Sequence, residues 1–256
     1  MINIIILAAG AGSRFSDYHT VPKPYVQVRG KSILEHCTSS IPFVLHGFPR
    51  QRYDVTLRFA TQLDHLDLFP TGVYGRSCVL LPFDGVTRGN LETAYITAKT
   101  LHNVNSPLYI FDCDNKFDGG PVIDSLPLLQ TGMPTTLAFG YDHNEPHDTS
   151  WANAKVRQDH GSKHLYVDSI REKDAEYAKY PRLVGIFGFS SVEYFLELAT
   201  NIIDKNELTG NNEFYMSQTI QPGHPFIELD QYIPLGTPID VEAFRNGDQN
   251  RLGWII

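Results

Sequence analysis

Apolar and polar positions along this chain switch between a short apolar-run pattern and a helical period. Ile4-Ile5-Ile6-Leu7-Ala8-Ala9 is an unbroken apolar run and predicts a buried strand. Ser32-Ile33-Leu34-Glu35-His36 predicts a helix start, with Ser32 as cap and Glu35 three residues on. Val55–Ala60 and Cys78–Leu81 predict the second and third strands. Leu91, Ala94, Tyr95, Ala98 and Leu101 recur at helical spacing. Pro107–Phe111 is the next strand and delivers Asp112-Cys113-Asp114-Asn115, and Thr135–Phe139 is another.

Residues 141–182 form the polar, loop-rich part, with Asp142, His143, Asn144, Glu145, Pro146 and His147 near its start. Leu183–Phe189 resumes the sheet, Val192–Ile203 predicts a helix, and Tyr232–Phe244 a strand-like run leading into a last short helix. No repeat or low-complexity tract interrupts the alternation. The fold class predicted is α/β, a single Rossmann-like, mostly parallel mixed sheet with helices on both faces. Residues 1–256 read as one domain, with 141–182 an excursion that covers the substrate. Ligands of open α/β sheets collect beyond the carboxyl ends of the strands. The turn at Gly10 and the Asp112–Asp114 pair both follow apolar strands, so one cleft can hold both.

The first strand runs into Gly10-Ala11-Gly12-Ser13-Arg14-Phe15, followed by Val21-Pro22-Lys23-Pro24-Tyr25. Small residues there let backbone N–H groups approach a ligand without a Cβ in the way. Arg14 and Lys23 bring a donor fork and a compact point charge to the same mouth, a combination that suits a polyphosphate. A dinucleotide fingerprint needs a third glycine where Phe15 stands, and a Walker A loop needs a Gly-Lys-Ser/Thr run that is missing here. The stretch predicts a nucleoside triphosphate site.

Asp112 and Asp114 lie two apart and point the same way if the strand conformation continues that far. Paired carboxylates suit Mg²⁺, a hard cation that keeps waters beside substrate phosphates. The same residues also suit a simple turn after a strand.

The string from Leu7 to Pro24 resembles the signature of the nucleotidyltransferases of glycosyltransferase-A type fold, L-A-A-G-x-G-S-R-(F/M), a spacer, then P-K-P. The similarity extends from Ile4 to about Phe244 and is nearest to the enzymes of bacterial capsule and lipopolysaccharide gene clusters. It implies a nucleotide held by the backbone of Leu7, Ala8, Ala9, Gly10, Gly12 and Ser13, with Arg14 and Lys23 on the triphosphate. Thr87, Gly89 and Asn90 fall where the family sets a turn and helix start against base and ribose. Asp114 takes the place of the family's metal-holding acid, whereas Asp112 falls where related chains often carry a neutral residue. A second metal ligand is implied near the C-terminus. Thymidylyltransferases put an Asp two residues before a Gly-Thr pair, but Pro234 stands there in this chain. The turn Gly236-Thr237-Pro238-Ile239-Asp240 is closer to the cytidylyltransferase pattern and nominates Asp240, which is equally suited to capping the last helix. Glu172-Lys173 resembles the family's E-K pair, whose Lys meets the acceptor phosphate, and Glu213-Phe214-Tyr215 an E-F-Y string that lines the acceptor pocket or the core.

Composition narrows the partners. A net charge of −8 speaks against sequence-independent nucleic-acid binding, which needs clustered cations. No apolar run approaches the roughly 18 residues that cross a bilayer. Cys37, Cys78 and Cys113 are odd in number and scattered, as in a reducing cytoplasm. The ten histidines make no zinc-ligand spacing, and no G-x-S-x-G elbow occurs. The expected activity is Mg²⁺-dependent joining of an NTP, CTP favoured by the Asp240 turn, to a sugar 1-phosphate or related phosphate monoester, with a homo-oligomer left open. The rival readings are a cytidylyltransferase acting on a non-sugar phosphate, a metal-dependent glycosyltransferase, and a non-catalytic nucleotide-binding regulator.

Overall fold

The structure, a computed structural model, describes residues 1–16, 18, 20–44, 53–70, 78–142, 150–159, 161–209 and 212–248. Among them the elements run in order β1 (Ile2–Ala8), β2 (Gln27–Val28), β3 (Lys31–Ser32), α1 (Ile33–Ser40), β4 (Val55–Gln62), β5 (Cys78–Phe83), α2 (Asn90–Ala98), β6 (Leu108–Asp112) and β7 (Asn115–Phe117). They continue with α3 (Gly120–Leu129), β8 (Thr136–Tyr141), β9 (Ala152–Gln158), β10 (Leu165–Glu172), β11 (Arg182–Phe189), α4 (Val192–Asp204), β12 (Pro225–Glu228), β13 (Tyr232–Pro234) and α5 (Pro238–Asn246).

Nine strands make one mixed sheet in the order β5-β4-β1-β6-β11-β8-β12-β10-β9. The first four are mutually parallel. Antiparallel pairing takes over at β11, which runs against both β6 and β8. Beyond it β12 lies parallel to β8, and β10 runs against β12 and β9. The last strand returns to β11, with Asn153 opposite Arg182.

β1 is buried along its whole length because helices cover both faces. Ile4, Ile6 and Ala8 pack with Leu34 of α1 and Leu126 of α3, while Ile5 and Leu7 pack with Leu91 of α2 and Phe195 of α4. That split follows from the two-residue period of a strand. The predicted cap of α1 forms: Glu35 N–H donates to Ser32 Oγ at 3.2 Å, and Ser32 N–H to Glu35 Oε2 at 2.7 Å. Registry matters most for the site. Leu7 sits opposite Asp112 and Ala8 opposite Thr61, so the carboxyl ends of β1, β4 and β6 finish at one level.

Three features depart from the sequence expectations. The loop-rich reading of 141–182 holds only in part: the run Ser150–Val156 and Gly161, which resembles the hairpin expected ahead of Glu172-Lys173, does form the antiparallel hairpin β9–β10, and that hairpin joins the main sheet. His143, Asn144, Glu145, Pro146 and His147 lie outside the described residues. Helix α3 was hidden by its prolines, Pro121 at its start and Pro127 inside it, where a missing N–H normally argues against a helix. The Leu91–Leu101 helix closes at Ala98. Among the described residues, no helix is long and apolar enough to cross a membrane.

Candidate active site

Two connected hollows open at the carboxyl ends of the central strands. The smaller, of about 340 Å³, is lined by Leu7, Ala8, Ala9, Gly10, Lys23, Thr87, Gly89 and Glu213. The larger, of about 690 Å³, is lined by Arg14, Trp151, Glu172, Lys173, Arg182, Ser217 and Asp240. Asn90, Asp112, Asp114 and Tyr215 face both. Most of the residues expected from sequence thus line two adjoining hollows, with Asp112 and Asp114 on the divide, while Gly12 and Ser13 line neither.

Strand geometry ends at Asp112, and Asp114 occupies the turn before β7. The turn is held by Leu235 N–H, which donates to the Asp114 carbonyl at 2.8 Å. Lys23 Nζ lies 2.7 Å from Asp114 Oδ2. Burial by itself would lower the Lys23 pKa, but the charge of Asp114 and of the neighbouring Cys113 and Asp112 outweighs it, and the ammonium is held above its ordinary value. Asp112 is pushed up to about 7, first by burial and then by the charge of Asp114. Asn90 gives it a hydrogen bond while accepting one from Met216 N–H at 2.9 Å.

Glycine is required where backbone crowds this divide. A Cβ on Gly185, whose φ is +68°, would stand 2.5 Å from Asp112 Oδ2. One on Gly89, with φ +127°, would stand 2.3 Å from the Phe214 carbonyl oxygen. Leu91 N–H and Phe214 N–H both bond across the same junction, which ties the start of α2 to the Glu213–Tyr215 segment.

On the larger side, Lys173 is a non-glycine residue in left-handed backbone, with φ 52°. Its N–H donates to the Trp151 carbonyl at 3.0 Å, and its ammonium to the Tyr215 hydroxyl at 2.7 Å. That hydroxyl in turn donates to Glu213. Glu172 accepts from the Ser217 hydroxyl, and burial raises its pKa despite that bond and the Lys173 charge.

Asp240 does cap α5. Its Oδ2 accepts from Thr237 N–H at 3.0 Å and from the Thr237 hydroxyl, while its own N–H donates to Thr237 Oγ1 at 3.2 Å. It nevertheless lines the larger hollow together with Asp114.

The predicted residues divide between the hollows in ways the sequence did not indicate. Arg14 and Lys23 were expected at one mouth, yet Lys23 borders the smaller hollow and Arg14 the larger. Glu213 was expected against the acceptor but borders the smaller hollow. Gly12 and Ser13 form the turn behind the wall, where a Cβ on Gly12 would lie 3.3 Å from that of Lys23. Arg182, Gly185 and Ser217 also line the larger hollow and belong to no local motif, and Trp151, part of the hairpin-like run, lines it as well.

The fold is similar to that of solved nucleotidyltransferase structures. The solved structures it is similar to include a nucleoside-diphosphate-sugar pyrophosphorylase from Vibrio cholerae RC9, at 18% identity and TM-score 0.71, over 96% of this chain and 100% of that one. A UDP-glucose pyrophosphorylase complexed with UDP-glucose aligns at 12% identity and TM-score 0.73, over 97% of this chain and 98% of that one. The inositol-1-phosphate CTP transferase from T. maritima aligns at 13% identity and TM-score 0.65, over 99% and 98% respectively. In sequence alone, no family model and no curated protein matches the chain.

Proposed function

We propose that this protein is a metal-dependent nucleotidyltransferase that joins an NTP to a phosphate monoester and releases pyrophosphate. The observation that carries the reading is the meeting of the Gly10 turn, Lys23 and the Asp112–Asp114 pair at the level ends of β1 and β6, between two hollows. One hollow suits the nucleotide, the other the acceptor.

The chain's own part is positioning and charge. The backbone at Leu7–Gly10 and the α2 start at Gly89–Asn90 border the nucleotide side. Lys23 offsets charge that grows on departing pyrophosphate, Arg14 would meet the phosphates from the side of the larger hollow, and Lys173 orients the attacking phosphate. No general base is required, because a phosphate monoester is already ionised at neutral pH. Mg²⁺ fits the donor set: Asp112, Asp114 and Asp240 offer hard oxygens on one cleft. Among the described residues these acids are not gathered into a group of three or more able to hold a metal, so the ion would depend on water and substrate phosphate oxygens for its remaining ligands. When bound, the ion would supply charge neutralisation between donor and acceptor phosphates.

The Asp240 turn favours CTP, and residues 141–182, which give the cleft Trp151 and Glu172, cover the acceptor. The test is a pyrophosphate-release screen of the four common NTPs against phosphate monoesters with Mg²⁺. Release with one pairing, reversed by product plus pyrophosphate, supports the reading. Consumption of a nucleotide sugar without any use of pyrophosphate points to a glycosyltransferase, and binding without turnover to a regulator.

A further inference from the structure

Two guanidinium groups line the larger hollow, Arg14 and Arg182. Arg182 opens β11, three residues before the Gly185 that abuts Asp112. Both residues line the larger hollow, so the Arg182 side chain shares that hollow with Asp112 and Asp114.

Its surroundings are unusual for a surface arginine. The guanidinium carbon lies 5.2 Å from the Trp151 ring centre, 5.7 Å from that of Tyr232 and 5.9 Å from that of Tyr141. The rings brace one another, Trp151 edge-on to Tyr232 and Tyr141 tilted against it. Asn115 fixes Tyr232 by accepting its hydroxyl proton at 2.7 Å. The Arg182 Nε is buried with no hydrogen-bond partner, and among the described residues the side chain forms no ion pair. Lys173 differs, since its ammonium is engaged by Tyr215, which binds Glu213.

An arginine stacked on rings has shed water from its faces and keeps its in-plane donors for a planar two-oxygen anion. Because the cage already holds a cation, it does not suit a cationic acceptor. We infer that Arg182 binds a carboxylate on the acceptor, so that the substrate class is a phosphate monoester bearing a carboxylate. The inference rests on the nucleotidyltransferase reading for what happens to the phosphate, while the binding site stands on its own geometry.

The experiment uses acceptor pairs that differ only in the carboxylate: 3-phosphoglycerate against glycerol 3-phosphate, phosphoserine against phosphoethanolamine, and glucuronic acid 1-phosphate against glucose 1-phosphate. Phosphocholine is included as the cationic counter-case. Pyrophosphate release is measured with each NTP and Mg²⁺, and calorimetric binding of the same acceptors is measured in parallel. At least one pair is expected to show a tenfold or greater kcat/KM preference for the carboxylate member. Arg182→Gln should bring that ratio near one, with Arg182→Lys between. Equal or better use of the neutral members or of phosphocholine overturns the assignment while leaving the nucleotidyltransferase reading intact. An equal loss on both members in Arg182→Gln also overturns it, because the arginine would then serve the reacting phosphate. If nothing is turned over, but a carboxylate-bearing acceptor binds and Arg182→Gln weakens it tenfold, this site stands and the activity reading falls. Without turnover or such binding, both fall. If Arg182→Gln does not fold, the fall of the ratio in Arg182→Lys carries the test, because Arg14 lines the same hollow and a wild-type preference alone does not assign the carboxylate to Arg182.

Discussion

Lys23 and Asp114, separated by 91 residues in the chain, meet through a 2.7 Å contact between ammonium and carboxylate. The pair joins the glycine turn after β1 to the end of β6, the two parts of the site built by different segments. It also keeps the lysine charged, so its charge is constant across ordinary assay pH. Lys23→Ala should lower kcat/KM for pyrophosphate release by at least tenfold, about 1.4 kcal/mol of transition-state stabilisation. Near-normal turnover at saturating NTP and metal would remove Lys23 from the triphosphate.

Two substitutions separate the helix-capping contacts of Asp240 from the metal-binding role proposed for it. Thr237→Ala removes the hydroxyl partner of the cap and should cost about 1 kcal/mol in urea denaturation, with the Mg²⁺ requirement unchanged. Asp240→Asn retains an oxygen that can accept from Thr237 N–H, so its Tm should stay within about 3 °C of wild type while Mg²⁺-dependent activity is lost. An active Asp240→Asn would leave capping as the whole role of this residue.

Glu172 gives a pH signature in stability. Its pKa in the folded protein is raised above 4.5, mainly by burial, so the native state holds this proton more tightly than the unfolded chain. Below pH 4.5 the group carries no penalty, and native stability is lost as pH rises from there through the raised value. Glu172→Gln removes the charge, and its Tm advantage should grow from near zero at pH 4 to its full value at pH 8. A Tm difference that does not change with pH would mean that burial does not strain this carboxylate.

Gly89→Ala places a methyl 2.3 Å from a backbone oxygen at a left-handed position, and neither neighbour is a flexible tip. The expected destabilisation is about 2 kcal/mol or more by urea denaturation. Gly185→Ala instead presses on the Asp112 carboxylate. It should cost activity more than stability, read as a larger fall in kcat than in the denaturation midpoint. A silent Gly185→Ala would show that Asp112 can move without consequence.

The parts of this site that were legible in the sequence are those encoded locally. The turn after β1, the acids after β6 and the capping box of α1 each lie within one short segment, where residue type fixes the geometry. Arg182 and its cage were not legible, because Tyr141, Trp151 and Tyr232 come from three separate places and converge only through antiparallel pairing. The same cause accounts for the Lys23 and Arg14 division: spacing put both near the turn but could not assign each to a side. Pro127 and Pro225 concealed α3 and β12, since local preference is overruled there by the packing of Leu126 and Phe226.

The change of strand direction between β6 and β11 has a mechanical consequence. Both walls of the cleft belong to a single hydrogen-bonded sheet, with β1 on one flank of β6 and β11 on the other. Substrates cannot be gripped by swinging two bodies about a hinge at this seam without breaking that ladder. Adjustment of the cleft is left to side chains and connecting segments, and Asp112 and Asp114 stay on a rigid spine while the surface around them changes.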